Sequence, residues 1–200
     1  MRKFLLISAI VVLSLILLVF GTDLVLLNVN HKKNVEAWQG IGEPTIIYDQ
    51  HEYEDIKYGA GNIAKNGCGP CSIYNILYLD DRYVALPDII KNIYMFGNIG
   101  LGLAGARPSA VIDVLKQYGY EVRYYFDTKK FEDLAKSSRY VIYLYVGKTK
   151  SGTVGHYQLM TDYNEEIGDY QLYSPYYRTI MQNLLDYSKC CFVKMLITVN

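Results

Sequence analysis

The sequence predicts an α+β fold. Helix-spaced apolar residues come early in the chain, tyrosine-rich strand runs come late, and the two do not alternate as a wound parallel sheet requires. The 200 residues, 51% apolar and 20% charged, suffice for one globular domain with a small appendage and exclude a disordered chain. Lys+Arg 20 against Asp+Glu 20 gives zero formal charge. That excludes a protein whose main partner is nucleic acid, because phosphate binding needs a basic face.

The first element is apolar. Met1-Arg2-Lys3 precedes Phe4 to Phe20, in which only Ser8 and Ser14 are polar. As a helix this run spans about 26 Å, close to a bilayer core, and it has no polar face with which to sit on a soluble core. Residues 1–27 are therefore expected to be a membrane anchor, with a cleaved secretory signal ending near Val19-Phe20-Gly21 as the rival reading. Arg2 and Lys3 against the membrane put the N-terminus inside and the domain outside; cleavage would make the domain secreted. An exported domain permits disulfides among the four cysteines.

Residues 28–44 read as a polar tether and 45–200 as the domain proper. Thr45 to Tyr48 is a short strand candidate, followed by an irregular stretch broken by Gly59, Gly61 and Gly67. Ser72 to Leu79 and Pro87 to Phe96 read as helices, separated from a third by the glycine-rich stretch Gly97 to Gly105. Ser109 is expected to cap that third helix, Ala110 to Tyr118, and Gly119 to stop it. Strands are expected at Glu121 to Phe126, Tyr140 to Val146, Tyr157 to Tyr163, Tyr170 to Tyr173 and Cys191 to Thr198, with short helices at Lys129 to Lys136 and Met181 to Tyr187. Many of the 21 Tyr lie in these late strands, where an amphipathic ring suits a half-buried sheet.

The chemistry-bearing stretch is Gly67-Cys68-Gly69-Pro70-Cys71-Ser72, at a loop-to-helix junction. Unpaired N–H groups and partial positive charge at a helix start favour a thiolate, so Cys68 is placed as a nucleophile should be. A thiolate hydrolase also needs a base, oxyanion donors and a group that orients the base. His156 is the only histidine in the body of the domain, since His31 and His51 read as solvated loop residues.

Tyr58-Gly59 through Gly67-Cys68-Gly69-Pro70-x-Ser72, followed by Gly155-His156-Tyr157-Gln158-Leu159, resembles the papain-like bacteriocin-processing cysteine peptidases, cysteine peptidase family thirty-nine. The resemblance runs from about Thr45 to Tyr176 and implies a papain-like fold of N-terminal helices followed by an antiparallel sheet. It implies Cys68 as nucleophile, His156 as general base and Gln50 as a donor to the oxyanion, acting on a peptide or protein substrate with no cofactor and no metal. The family's orienting residue is an Asp before Pro on the next strand. Here Leu172-Tyr173-Ser174-Pro175 puts Ser174 in that place, a hydroxyl that can accept from His156 but carries no charge. Asp162 and Asp169 are substitutes for it, and Asn62 is a second oxyanion candidate.

Other readings compete. Cys68-Gly69-Pro70-Cys71 is also the redox motif of thioredoxin, but no apolar strand or Trp immediately precedes it and no βαβ pattern surrounds it. A non-catalytic peptide-binding module on the same fold is the third reading. Cys190-Cys191 read as buried strand residues rather than zinc ligands, and Asp80-Asp81-Arg82 as a solvated helix end. Nothing in the sequence sets the oligomeric state.

Overall fold

The computed structural model describes residues 2–99, 101–149, 152–166, 169–173, 181–182 and 191–200. Helices α1 (Arg2–Gln39), α2 (Ile63–Asn66), α3 (Cys68–Leu79), α4 (Leu86–Phe96) and α5 (Pro108–Gln117) come first, with the small hairpin β1 (Lys57–Tyr58) and β2 (Gly61–Asn62) before α2. Then come β3 (Val122–Tyr125), α6 (Phe131–Lys136), β4 (Tyr140–Thr149), β5 (Gly152–Asn164), β6 (Asp169–Tyr173), β7 (Met181–Gln182) and β8 (Cys191–Val199). The sheet order is β3-β8-β4-β5-β6-β7, and every described strand pair is antiparallel. The fold is α+β, and the last strand is inserted between β3 and β4.

Period-two alternation divides the sheet residues between two cores. Ile142, Leu144, Tyr157, Leu159 and Ile197 pack with α3, α4 and α5. Val141, Tyr143, Met160, Leu172 and Leu196 pack with Phe131 and Ala135 of α6 on the other face.

Residues 28–39, expected to be a tether, instead continue α1 and dock on the domain. Asn30, Asn34 and Trp38 recur every fourth residue and so share one helix face. Asn30 Nδ2 donates to Gly59 O at 2.8 Å, while Asn34 donates to Lys57 O at 2.8 Å and accepts from Lys57 N at 2.7 Å. Trp38 Nε1 donates to Tyr83 Oη at 2.7 Å, and its ring stands edge-on to Tyr74 at 5.3 Å. His31 is thereby on a helix, 3.7 Å from Asp88, rather than in a loop.

The other end of α1 presents Ile7 to Leu18 as exposed side chains. Among the described residues no helix is long and apolar enough to cross a membrane. The expected membrane-spanning segment therefore finds no support among the described residues.

Three local expectations change. Thr45 to Tyr48 is not a strand. Asn75 of α3 supplies instead the two bonds a neighbouring strand would make, accepting from Ile47 N at 2.9 Å and donating to Ile47 O at 2.9 Å. Ser109 does not cap α5: Arg107 is the N-cap, without a side-chain bond, and Pro108 takes the first turn, where its missing N–H costs nothing. Met181 and Gln182, expected to open a helix, pair with β6 as a strand; residues 183–187 lie outside the described residues.

Asp80 is not solvated. It C-caps α3 with its side chain only 6% exposed, accepts from Tyr120 Oη at 2.7 Å and from Tyr140 Oη, and pairs with Arg139 at 2.5 Å. This carboxylate ties the end of α3 to the sheet that α3 packs against.

Candidate active site around Cys68

Gly67 separates α2 from α3 and fixes where the cysteine falls. Its N–H closes α2 on Ile63 O at 2.9 Å, and its carbonyl accepts the first α3 bond from Cys71 N at 2.9 Å. A Cβ at Gly67 would lie 2.6 Å from Ile63 O, so only glycine permits this abrupt junction. Cys68 is thus the first residue of α3, and Ser72 Oγ donates to its carbonyl at 2.8 Å one turn later.

The backbone N–H groups of Tyr157, Gly69 and Cys68 itself lie close enough to the Cys68 sulfur to favour its thiolate. Burial pushes the thiol pKa above its ordinary value, and these three donors oppose that rise by favouring the thiolate. Cys71 is 1% exposed, and its thiol is pushed further up, by burial first and then by the proximity of Cys68. Cys71 accordingly behaves as a core residue.

Cover over Cys68 comes from the glycine-rich loop and β5. Tyr157 Oη donates to Ala106 O at 2.9 Å, and a Cβ on Gly69 would meet Ala106 Cβ at 3.2 Å and Val111 Cγ2 at 3.3 Å. Behind the loop, Ala60 N donates to Leu101 O at 2.8 Å, which fastens it to the turn between β1 and β2.

His156 lies on β5 opposite Tyr145 of β4, and its ring stands edge-on to that tyrosine at 5.5 Å. Alternation sends Tyr157 and Leu159 toward α3 and sends His156, Gln158 and Met160 to the other face. The peptide that follows His156, not its imidazole, is what the structure brings to the Cys68 sulfur. Among the described pairs, β6 joins β5 only from Leu159↔Tyr173 onward, so Cys68 meets β5 beyond that pairing. The imidazole is 1% exposed, and burial lowers its pKa to about 3, against an opposing effect of the Gln158 amide. Both ring and thiol are therefore neutral in this arrangement.

Gln50 is fully buried in a single 3-10 turn, Gln50–Tyr53, capped by Asp49. The chain from here to Asn62 folds back so that Gln50 Nε2 donates to Ala64 O of α2 at 2.8 Å. One amide hydrogen is thus committed to the helix just before Cys68. Asn62 caps α2, accepting from Lys65 N at 3.1 Å, which gives it a structural task. Asp162 belongs to β5 and Asp169 to β6. Ser174 and Cys190 lie outside the described residues, and Cys191 opens β8 half-buried. Among the described residues, no three His, Cys, Asp or Glu side chains gather as metal ligands.

Sequence reasoning missed the Tyr157 N–H as a partner of the sulfur, and it passed over Gln158. The signal for Gln158 was present: a glutamine two residues after His156 on the same strand shares the histidine's face.

No protein-family model and no curated protein matches the chain. Among solved structures it is similar to the peptidase domain of Streptococcus ComA, a bifunctional ABC transporter, at 14% identity and TM-score 0.48, over 66% of this chain and 89% of that one. It is also similar to a double glycine motif protease from an AMS/PCAT transporter, solved with its leader peptide, at 14% identity and TM-score 0.48, over 66% and 82%. The Streptococcus mutans ComA peptidase domain aligns at 13% identity and TM-score 0.42, over 68% and 92%.

Proposed function

We propose that this protein hydrolyses peptide or amide bonds of a peptide or protein substrate by a Cys-His mechanism. The observation that carries the reading is Cys68 as the first residue of helix α3, where nearby backbone N–H groups favour its thiolate, beside the strand that bears His156. The motif resemblance supplies the reaction class.

In this mechanism His156 removes the Cys68 proton, the thiolate attacks the carbonyl, and the imidazolium returns the proton to the leaving amine. The Cys68 N–H and the second amide hydrogen of Gln50 serve the oxyanion, and Ser174 is the orienting residue that the resemblance assigns. The imidazole must turn round the β5 edge to reach sulfur, because it leaves the strand on the far face. The reading as a thiol-disulfide oxidoreductase has no matching architecture, since the described strands all pair antiparallel and form no βαβ unit.

We also infer that residues 1–27 hold the domain at the outer face of a membrane. Exposed apolar side chains on a continuous helix, such as Leu17 at 64% and Leu18 at 67%, support this, because water is a poor solvent for them. N-terminal sequencing distinguishes an intact anchor from a cleaved signal, and release of the protein by alkaline wash would overturn the anchor.

The mechanism is tested with a peptide carrying an electrophilic carbonyl. Wild type and Cys71→Ala should label at residue 68, and Cys68→Ala should not. Amidase activity retained in Cys68→Ala refutes the nucleophile. A protein that binds peptide without ever labelling is the non-catalytic module.

A further inference from the structure

Helix α1 leaves the domain at an end that exposes further apolar side chains. His31 is 3.7 Å from Asp88, near the start of α4, while Leu27, one turn earlier in α1, lines a narrow cleft with Lys91 and Tyr94, nearer the end of α4. The two helices therefore run antiparallel, and the C-terminal end of α4 points the same way as the apolar end of α1. The β1–β2 hairpin points that way too. Lys57 bonds to Asn34 and Gly59 to Asn30, so its turn lies toward Leu27. Ala60 N, in that turn, donates to Leu101 O at 2.8 Å and brings the glycine-rich loop to the same end.

There Met95 of α4 is 69% exposed, and Leu103 and Ile99 of the loop are 58% and 41% exposed. The loop is built rather than slack: Gly102 N and Ala104 N both donate to Ile99 O, at 3.1 and 3.2 Å, and Ile99 N donates to Gly105 O at 2.9 Å. Leu24 and Val25 of α1 are exposed as well, which extends the apolar rim onto the helix itself. Lys91, exposed one turn before Met95, stands behind the rim, where a long cationic side chain suits the depth of lipid headgroups.

We propose that Met95, Ile99 and Leu103 rest on the outer leaflet of the bilayer, as a second membrane contact beside the anchor helix that seats the domain in one orientation. The inference rests on the reading of residues 1–27 as an anchor. A lipid surface is the occupant because the rim adjoins the exit of an apolar helix, so the medium that solvates Leu17 and Leu18 lies alongside it. Ala106, at the base of the same loop, covers Cys68, which puts the candidate site on the membrane side of the domain.

Trp38 is the sole tryptophan and lies at the opposite end of the docked segment, about 21 Å of helix from Leu24. The test is fluorescence of the full-length protein in phosphatidylcholine vesicles brominated at the headgroup end of the acyl chains. Wild type, with Trp38 alone, should be quenched little. Leu103→Trp should add a component that loses most of its emission, and Met95→Trp should do the same, so the test survives if one variant fails to fold. Protein that floats with the vesicles while neither new tryptophan is quenched overturns the proposal and leaves the anchor standing. Protein that does not float overturns the anchor reading, and the proposal with it. New tryptophans shielded from aqueous acrylamide yet unquenched by brominated lipid would put protein on the rim, such as a second copy of this chain, and overturn the lipid assignment.

Discussion

The backbone N–H of Tyr157 lies close enough to the sulfur of Cys68 to favour its thiolate, so the start of α3 and the middle of β5 meet at this peptide group. Because burial nevertheless holds the thiol pKa above its usual value, little thiolate exists at neutral pH. Alkylation of Cys68 by a small iodoacetamide should therefore be slow at pH 7 and rise about tenfold per pH unit through pH 9. Peptide mapping should show Cys71 unlabelled in the folded protein. A rate flat between pH 6 and 9 would instead mean a thiolate already formed at rest.

Gly59 has φ +60, a conformation that strains any residue with a Cβ, and that Cβ would collide with Leu101 O. Opposite it, a Cβ on Gly102 would come 2.8 Å from Tyr58 O, so two backbones are packed face to face with no room between them. Gly59→Ala should cost about 3 kcal/mol or more in urea unfolding. The same change loosens the loop that carries Ala106, the acceptor for Tyr157 Oη, so alkylation of Cys68 should become faster in the fraction that remains folded.

Asn75, 1% exposed, makes both backbone bonds of Ile47 in the core. Asn75→Ala leaves a buried donor and a buried acceptor unmatched, and a loss of about 3 kcal/mol is expected from calorimetry or urea titration. A loss under about 1 kcal/mol would mean that the segment from Thr45 to Tyr48 finds water or another partner.

These residues mark what the sequence could and could not disclose. The sheet strands were legible because alternation and tyrosine content are local signals, as Tyr140 to Val146 shows inside β4. Cys68 was legible because glycine, proline and serine around it announce a helix start. The docking of residues 28–39 was not, although Asn30, Asn34 and Trp38 carry the helical period, because three polar or aromatic residues spaced by four look like a solvated face until Gly59, Lys57 and Tyr83 are known to lie beneath them. Asp80 misled in the same way: its partners Tyr120, Tyr140 and Arg139 come from distant parts of the chain, and no local pattern predicts them. The direction in which His156 leaves β5 was readable in principle from period two, but only once the neighbours of Tyr157 were known.

His156 gives the fold a pH dependence whose sign is fixed by burial. Its imidazole pKa is lowered from 6.5 to about 3, so the unfolded chain takes up a proton at mildly acid pH that the folded chain refuses. Folded protein is then undiminished above pH 6.5 and loses stability as pH falls from there toward 3. Between pH 7.5 and 5 this one group should remove on the order of 2 kcal/mol. Urea midpoints measured at both pH values for wild type and His156→Gln isolate the contribution, since His31, His51 and the carboxylates are common to both proteins. A smaller drop in the variant is expected. Equal drops would show that the folded protein already accommodates imidazolium at His156, and the base would then be charged before any substrate arrives.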